Sequence, residues 1–132
     1  IARGLFTIQD YRSLMNWMED DLKQFGVNFL DILFCPHHPQ GTVKNFTKNC
    51  NCRKPLPGMF IKAKNKFNID MKNSIVIGDK KSDIEAGKSA GVGKAFLVRS
   101  GHPLSKDLID AVLILDDLFA VAKYLEKKDS RI

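Results

Sequence analysis

The amino-acid sequence predicts an α/β fold: a three-layer, Rossmann-like parallel sheet with helices on both faces and one inserted loop. Two observations support this prediction. Apolar segments of strand length alternate with amphipathic segments of helix length, and a single polar stretch rich in cysteine and histidine interrupts the alternation. Strands that alternate with helices build parallel βαβ units, whose sheet is covered on both sides. We therefore expect one domain over residues 1–132, with the inserted loop at about residues 35–54.

The first part of the chain predicts a helix and then a strand. Residues 7–26 carry apolar side chains at helical spacing, Thr7 and Asp10 resemble a capping box, and Gly26 is a natural stop. Residues 27–34 (VNFLDILF) are expected to form a strand that leads directly into the polar stretch.

The second part predicts a regular alternation of helices and strands. Pro57 is expected to open a helix over residues 58–67. The remaining expected elements are strands at residues 74–79, 94–98 and 111–115, and helices at residues 82–91 and from Asp116 or Asp117 to about residue 127.

Composition and charge limit the setting and the class of partner. The chain is 44% hydrophobic and 27% charged, with a formal net charge of +6, and such a surplus favours an anionic partner, either nucleic acid or a small phosphate ester. The longest apolar runs are too short to cross a bilayer, and because the first residues show no charged-then-apolar pattern, we do not expect secretion. Because three cysteines cannot all pair, we expect a reducing, cytoplasmic setting without membrane association.

The polar stretch FCPHHPQGTVKNFTKNCNCRKP predicts a structural zinc site. Its ends carry two pairs of ligand residues, each with one residue between its members: Cys35 with His37, and Cys50 with Cys52. Four nitrogen and sulphur ligands fill the tetrahedral shell of Zn²⁺ and leave no open position. The intervening residues have little apolar content, so a metal would supply the folding energy that burial cannot.

Two alternatives to this ligand set remain open at the level of sequence. His38 could replace His37, although His37 keeps the symmetry of the two pairs. Three buried thiols and a surface histidine would need no metal, but the surrounding proline, asparagine and glutamine residues disfavour burial. His102, in a Gly-His-Pro turn, is expected to be a bystander.

The segment SIVIGDKKSD predicts a second metal site. A short apolar strand ends at Gly78 and Asp79, and Asp83 follows at the start of a helix. Ligands of open parallel sheets bind beyond the carboxyl ends of the strands, where the Asp79 carboxylate suits Mg²⁺. Asp83 would order the loop or bind a water on the metal. The plainer alternative is a turn whose aspartate caps the next helix.

Arg53 and Lys54, which precede a proline, are candidate phosphate ligands. Lysine offers a point charge, and arginine offers a planar fork for two oxygens. In phosphoryl transfer such cations offset the charge of the transferring group, while Mg²⁺ bridges it. Taken alone, an Arg-Lys-Pro segment is more often solvated surface, so its significance comes from its position behind the cysteine pair.

The segments CRKPLPGMFIKAKNKFNID and SIVIGDKKSDIEAGKSAGVGKAFLV together resemble the second half of a haloacid dehalogenase superfamily phosphatase. The lysine before proline resembles the third motif of that family, and GDKKSD resembles the fourth. The cysteine loop is similar to that of the branch containing D-glycero-D-manno-heptose 1,7-bisphosphate phosphatases and histidinol phosphatases. The opening IARGLFT resembles the segment just after the second motif.

The resemblance implies a role for each candidate residue. Lys54 would stabilise the transferring phosphoryl group, and Arg53 would recognise the substrate. Asp79 would bind Mg²⁺, Lys80 would contact substrate phosphate, and Asp83 would support the site. Zinc would be held by the two ligand pairs: Cys35, His37, Cys50 and Cys52.

The catalytic aspartates of that family have no counterpart in the sequence. The family uses a D-x-D pair, in which the first aspartate forms an aspartyl-phosphate and the second is the general acid and base. The chain contains no D-x-D, and the serine or threonine of the second motif is also missing before IARG. We therefore expect an upstream segment that carries the first strand and these residues, and we expect the 132 residues alone to be inactive.

The predicted function is hydrolysis of the C7 phosphate of heptose 1,7-bisphosphate by a Mg²⁺-dependent, monomeric phosphatase, on the way to lipopolysaccharide or another heptose-bearing glycan. A histidinol-phosphate phosphatase is the nearest alternative. A non-catalytic zinc-containing module that binds nucleic acid is disfavoured, because Phe46 is the single aromatic residue of the cysteine cluster and stacking needs more. A pseudo-enzyme without its nucleophile would have less need of Asp79.

Overall fold

The computed structural model describes residues 1–99 and 112–129. The chain divides into two compact units, Ile1–Arg53 and Lys54–Ile132. The expectation of one domain over residues 1–132 stays a prediction.

The first unit contains helix α1 (Ile8–Lys23) and a short 3₁₀ turn at Lys44–Phe46. The Thr7 hydroxyl accepts a hydrogen bond from the Asp10 backbone N–H at 3.0 Å, and the Asp10 carboxylate accepts one from the Thr7 N–H at 2.8 Å. This reciprocal capping box satisfies two donors that the first helical turn leaves free. The capping box and the helix are therefore confirmed, although α1 ends three residues before Gly26.

Residues 27–34 form no strand, so the prediction for this segment was wrong. A strand persists when its backbone N–H and C=O groups pair with a neighbouring strand, and the described residues of the first unit contain none. The segment lies beside α1 instead, with the ring centroids of Tyr11 and Phe34 4.4 Å apart. Phe34 thus packs against the helix, whereas Val27, Phe29 and Leu30 are exposed.

The second unit is built on a parallel sheet with the strand order β1-β2-β3. Its elements, in chain order, are α2 (Gly58–Phe67), β1 (Ile75–Gly78), α3 (Lys81–Ser89), β2 (Lys94–Val98), β3 (Leu113–Leu115) and α4 (Leu118–Asp129). Each element predicted for this part of the chain is present, while the predicted first residue of β3, at position 111, lies outside the described residues.

Helices cover both faces of this sheet. Leu97 of β2 packs with Val76 of β1 and Ile84 of α3 on one face. Phe96, its neighbour in β2, packs with Val121 of α4 on the other face. Phe96 and Leu97 are both 1% exposed, which is possible for consecutive residues only when both faces of a strand are buried. The three-layer α/β prediction is confirmed.

Candidate metal centre and phosphate site

The first unit brings together all four predicted zinc ligands. The ligand atoms of Cys35, His37, Cys50 and Cys52 lie within 4.8 Å of one another, and each residue is half-buried. The Cys35 and Cys50 sulphurs are 3.5 Å apart, and the Cys52 sulphur is 3.4 Å from His37 Nδ1. Tetrahedral zinc with bonds of about 2.3 Å to sulphur places its ligand atoms roughly 3.8 Å apart. The donor set fits a four-coordinate metal, and the separations run from 2.9 Å between the Cys52 and Cys35 sulphurs to 3.9 Å between the Cys35 sulphur and His37 Nδ1.

The two histidines have different partners. Whereas His37 faces the cysteines, His38 Nδ1 accepts a hydrogen bond from the Gln40 backbone N–H at 2.9 Å, and His38 Nε2 lies 3.2 Å from Arg3 Nη2. Of the two histidines, His37 is therefore the one that belongs to the cluster able to hold a metal ion. Partial burial and the positive charges of Arg53 and Arg3 lower the pKa of His38, so its imidazole is neutral at pH 7.

The thiols of Cys50 and Cys52 have pKa values shifted in opposite directions. Burial opposes ionisation of Cys50, but hydrogen bonds from Cys52 and Cys35 outweigh burial and lower the pKa of Cys50 to about 6. Burial raises the pKa of Cys52 to about 12, and contacts with Cys35 and Cys50 add to the rise. A Cys50 thiolate stabilised by hydrogen bonds is the form of cysteine that binds a metal.

The amino-terminal residues hold the cysteine loop in place. The carbonyl oxygen of Ala2, a residue 2% exposed, accepts hydrogen bonds from the backbone N–H groups of Thr42 at 2.7 Å and Val43 at 2.8 Å. A Cβ at Gly41 would lie 2.6 Å from that oxygen, so only glycine allows this approach. These backbone contacts have no signature in the sequence, and the sequence analysis therefore missed the role of Ala2.

In the second unit, the predicted phosphate-site residues meet at the carboxyl end of β1. The Asp83 carboxylate forms an ion pair with the Lys54 ammonium and accepts a hydrogen bond from the Lys80 backbone N–H at 3.1 Å. Asp79, which is half-buried, is in hydrogen-bonding contact with Asp83. A Cβ at Gly78 would lie 2.4 Å from the Asp83 Cβ, so the glycine is needed for this packing.

The Asp83 carboxylate pairs with Lys54 and also caps the first turn of α3 through the Lys80 N–H, which is the plainer alternative considered for this segment. The roles of ordering the loop or binding a water on the metal stay predictions. Burial alone would raise the pKa of Asp83, but the hydrogen bond and charge of Lys54, with the Lys80 N–H, outweigh burial and lower it. The carboxylate is therefore ionised at neutral pH and fixes the Lys54 ammonium. Lys80 is exposed, as is Arg53 in the first unit, and His102 lies outside the described residues.

Comparison with known proteins defines the class. The family model described as "HAD-hyrolase-like" matches residues 51–121, more than half of the chain. The chain belongs to the haloacid dehalogenase-like hydrolases. Its relatives within that family include phosphatases of heptose 1,7-bisphosphate.

Two curated relatives cover nearly the whole chain. The D-glycero-alpha-D-manno-heptose-1,7-bisphosphate 7-phosphatase of Photorhabdus laumondii is 48% identical over 126 residues, which are 96% of this chain and 68% of the relative. The D-glycero-beta-D-manno-heptose-1,7-bisphosphate 7-phosphatase of Vibrio cholerae is 42% identical over 126 residues, with coverage of 95% and 68%. About a third of each relative therefore has no counterpart in this chain.

A solved structure gives the same family. The crystal structure of D,D-heptose 1,7-bisphosphate phosphatase from B. bronchiseptica, complexed with magnesium and phosphate, matches with a TM-score of 0.79 and 29% identity. The match covers 96% of this chain and 69% of that chain.

Among the described residues, no helix combines the length and apolar character that a membrane span requires.

Proposed function

We propose that the protein is a Mg²⁺-dependent phosphatase that removes the C7 phosphate of D-glycero-D-manno-heptose 1,7-bisphosphate. The observation that carries the proposal is the Lys54–Asp83 ion pair beside Asp79, in a chain that is 48% identical to a phosphatase named for this substrate. The product would enter the synthesis of lipopolysaccharide or another heptose-bearing glycan. We place the enzyme in the cytoplasm as a monomer that binds no nucleic acid.

The side chains of the second unit suit charge stabilisation around a phosphoryl group. The Lys54 ammonium, fixed by Asp83, would offset negative charge on the transferring phosphate, and the exposed Lys80 would contact substrate phosphate. The Asp79 carboxylate would hold Mg²⁺, a hard cation that prefers oxygen ligands and lowers the charge on phosphate when bound. Arg53 would recognise the substrate through its planar guanidinium.

The nucleophile belongs upstream of Ile1 in this proposal. An aspartate there attacks phosphorus, the C7 oxygen leaves with a proton from the second aspartate of the pair, and water then hydrolyses the aspartyl-phosphate to inorganic phosphate. The absence of D-x-D from the 132 residues supports this placement. Lys54 and Asp79 can stabilise the reaction, but neither can replace that nucleophile.

The cysteine cluster would bind structural Zn²⁺. Four protein ligands would fill the coordination shell and leave no position for substrate, so the metal would act on the fold and not on the phosphate. Its consequence is a rigid loop between Cys35 and Cys52, directly ahead of Arg53 and Lys54 in the chain.

The discriminating experiment measures phosphate release by the natural full-length protein from both anomers of heptose 1,7-bisphosphate and from histidinol phosphate. We expect a kcat/KM for a heptose anomer at least 100-fold above that for histidinol phosphate, and loss of activity when EDTA removes Mg²⁺. Both anomers are needed because the relatives differ in this respect. Preference for histidinol phosphate, or full turnover in EDTA, would overturn the proposal.

A further inference from the structure

The three cysteine sulphurs of the first unit lie at unequal distances from one another. Those of Cys35 and Cys52 are 2.9 Å apart, whereas the Cys50 sulphur is 3.5 Å from the first and 3.4 Å from the second. All three are free thiols and are half-buried. Cys35 and Cys52 are therefore the pair whose sulphurs must move least to reach the length of about 2.05 Å of a disulphide bond.

The same pair spans the whole cysteine loop. Cys35 and Cys52 are 17 positions apart and stand at its two ends, so a disulphide between them would close the loop as the metal would. A disulphide between Cys50 and Cys52 would cross a single residue and leave the loop open. A disulphide between Cys35 and Cys50 would also close it, but across a longer gap.

Backbone contacts inside the loop hold its two halves together without the cysteines. The His38 N–H donates to the Phe46 carbonyl at 3.0 Å, and His38 pairs with Thr47 in an isolated β-bridge. The Thr47 hydroxyl donates to the Val43 carbonyl at 2.7 Å. Because no metal ligand takes part in these bonds, we expect Cys35 and Cys52 to stay close when the metal is removed.

We propose that the cysteine loop is a site of reversible oxidation by peroxide, in which a Cys35–Cys52 disulphide replaces the zinc as the link that closes the loop. The four residues fit Zn²⁺, and once two of them are joined, His37 and Cys50 remain as ligands. Two ligands cannot complete the tetrahedral shell, so the ion leaves. This oxidation needs the zinc site and does not depend on the proposed phosphatase reaction.

The oxidation proceeds in two displacement steps. One thiolate of the pair attacks an oxygen of hydrogen peroxide, so that an S–O bond forms, the O–O bond breaks and hydroxide leaves. The second thiolate attacks the sulphur of this sulphenic acid, so that the S–S bond forms, the S–O bond breaks and a second hydroxide leaves. The two sulphurs are oxidised and the peroxide is reduced. A thiol such as glutathione reverses the reaction by thiol–disulphide exchange.

The test treats the zinc-loaded, natural full-length protein with hydrogen peroxide, blocks free thiols with iodoacetamide and maps the cysteines by tryptic mass spectrometry. Trypsin releases Cys35 in the peptide of residues 24–44 and the other two cysteines in residues 49–53 (NCNCR). We expect these peptides to be cross-linked, with the blocking group on Cys50, and one zinc to be released for each cross-link. Retained zinc, a link through Cys50, or sulphinic acid without a link would each overturn the proposal.

Limited trypsin digestion tests whether the disulphide closes the loop. Lys44 and Lys48 are exposed tryptic sites within it. Cleavage at both should be at least about tenfold slower in the oxidised, zinc-free protein than in reduced protein stripped of zinc by a chelator, because the cross-link restricts opening. Cleavage after Lys72, an exposed residue of the second unit, is the control and should be equal in both. Equal cleavage at Lys44 and Lys48 would mean that the disulphide does not replace the metal.

Two variants that each lack one zinc ligand isolate the choice of partner. Cys50→Ser and Cys52→Ser weaken the metal site alike, since each leaves three ligands. Peroxide should form the cross-link to Cys35 several-fold faster in Cys50→Ser than in Cys52→Ser, whose remaining sulphurs lie 3.5 Å apart. Equal rates would overturn the assignment of the pair. None of these measurements uses phosphatase activity, so they stand or fall separately from the proposed function.

Discussion

Asp83 connects three residues of the proposed phosphate site. Its side chain is 10% exposed and contacts the Lys54 ammonium, the Lys80 N–H and the Asp79 side chain. A buried carboxylate is tolerated when its hydrogen-bond and ion-pair partners compensate for the lost hydration. If the negative charge of Asp83 is removed, the Lys54 ammonium loses its counter-ion. The Lys54 side chain is 41% exposed, so water screens part of the effect.

Replacing Asp83 by asparagine is expected to lower the free energy of unfolding by about 1–3 kcal/mol. The matched control is Asp116→Asn, since Asp116 pairs with Arg99 at 2.5 Å but its side chain is 82% exposed. That control should change stability by less than about 1 kcal/mol. Urea unfolding followed by circular dichroism measures both, and equal losses in the two variants would contradict the role given to Asp83.

The Lys54–Asp83 ion pair should make the free energy of unfolding depend on pH, and the direction of that dependence follows from the pKa of Asp83. Because the pKa of Asp83 is lower in the folded state than in the unfolded chain, its contribution to stability is complete above the unfolded value of about 3.9. The contribution is lost as the pH falls below that value. The difference in unfolding free energy between wild type and Asp83→Asn should therefore be constant from pH 7 to about pH 5 and shrink near pH 3. A difference that grows in acid would show the opposite sign of shift.

At the scale of elements, the sequence analysis was correct where a local sequence pattern is compatible with one kind of structure only. The capping box of Thr7 and Asp10 is local and was predictable, and so was the β1–α3 unit that places Asp79 and Asp83 together. The strand prediction for residues 27–34 failed because a short apolar segment does not fix its own conformation, whereas strand formation needs a partner strand. The Arg3–His38 contact joins residues 35 positions apart, and no local pattern encodes it.

The cysteine loop gives a prediction about metal content. We expect one zinc per chain by elemental analysis, and His37→Ala should lose most of it because three ligands remain. His38→Ala is the adjacent control and should retain it, since His38 Nδ1 is occupied by the Gln40 N–H. The reverse pattern, with zinc lost only in the His38 variant, would contradict the ligand set.

At the scale of the whole molecule, the sequence contains the side chains proposed to stabilise charge but no D-x-D pair that could supply the proposed nucleophile. The Photorhabdus laumondii relative matches 96% of this chain, and about a third of that relative has no counterpart here. We therefore predict that the 132 residues alone release no phosphate from heptose 1,7-bisphosphate, and that the natural full-length protein does. Mg²⁺-dependent turnover by the isolated residues would contradict the upstream placement of the aspartates.

The most direct measurement follows the two phosphorus resonances of heptose 1,7-bisphosphate by ³¹P NMR in the presence of the natural full-length protein and Mg²⁺. The account predicts that the C7 signal disappears as inorganic phosphate appears while the C1 signal persists, and that Lys54→Ala slows this conversion about 100- to 1,000-fold. Loss of the C1 signal, or an unchanged rate in the Lys54 variant, would contradict it.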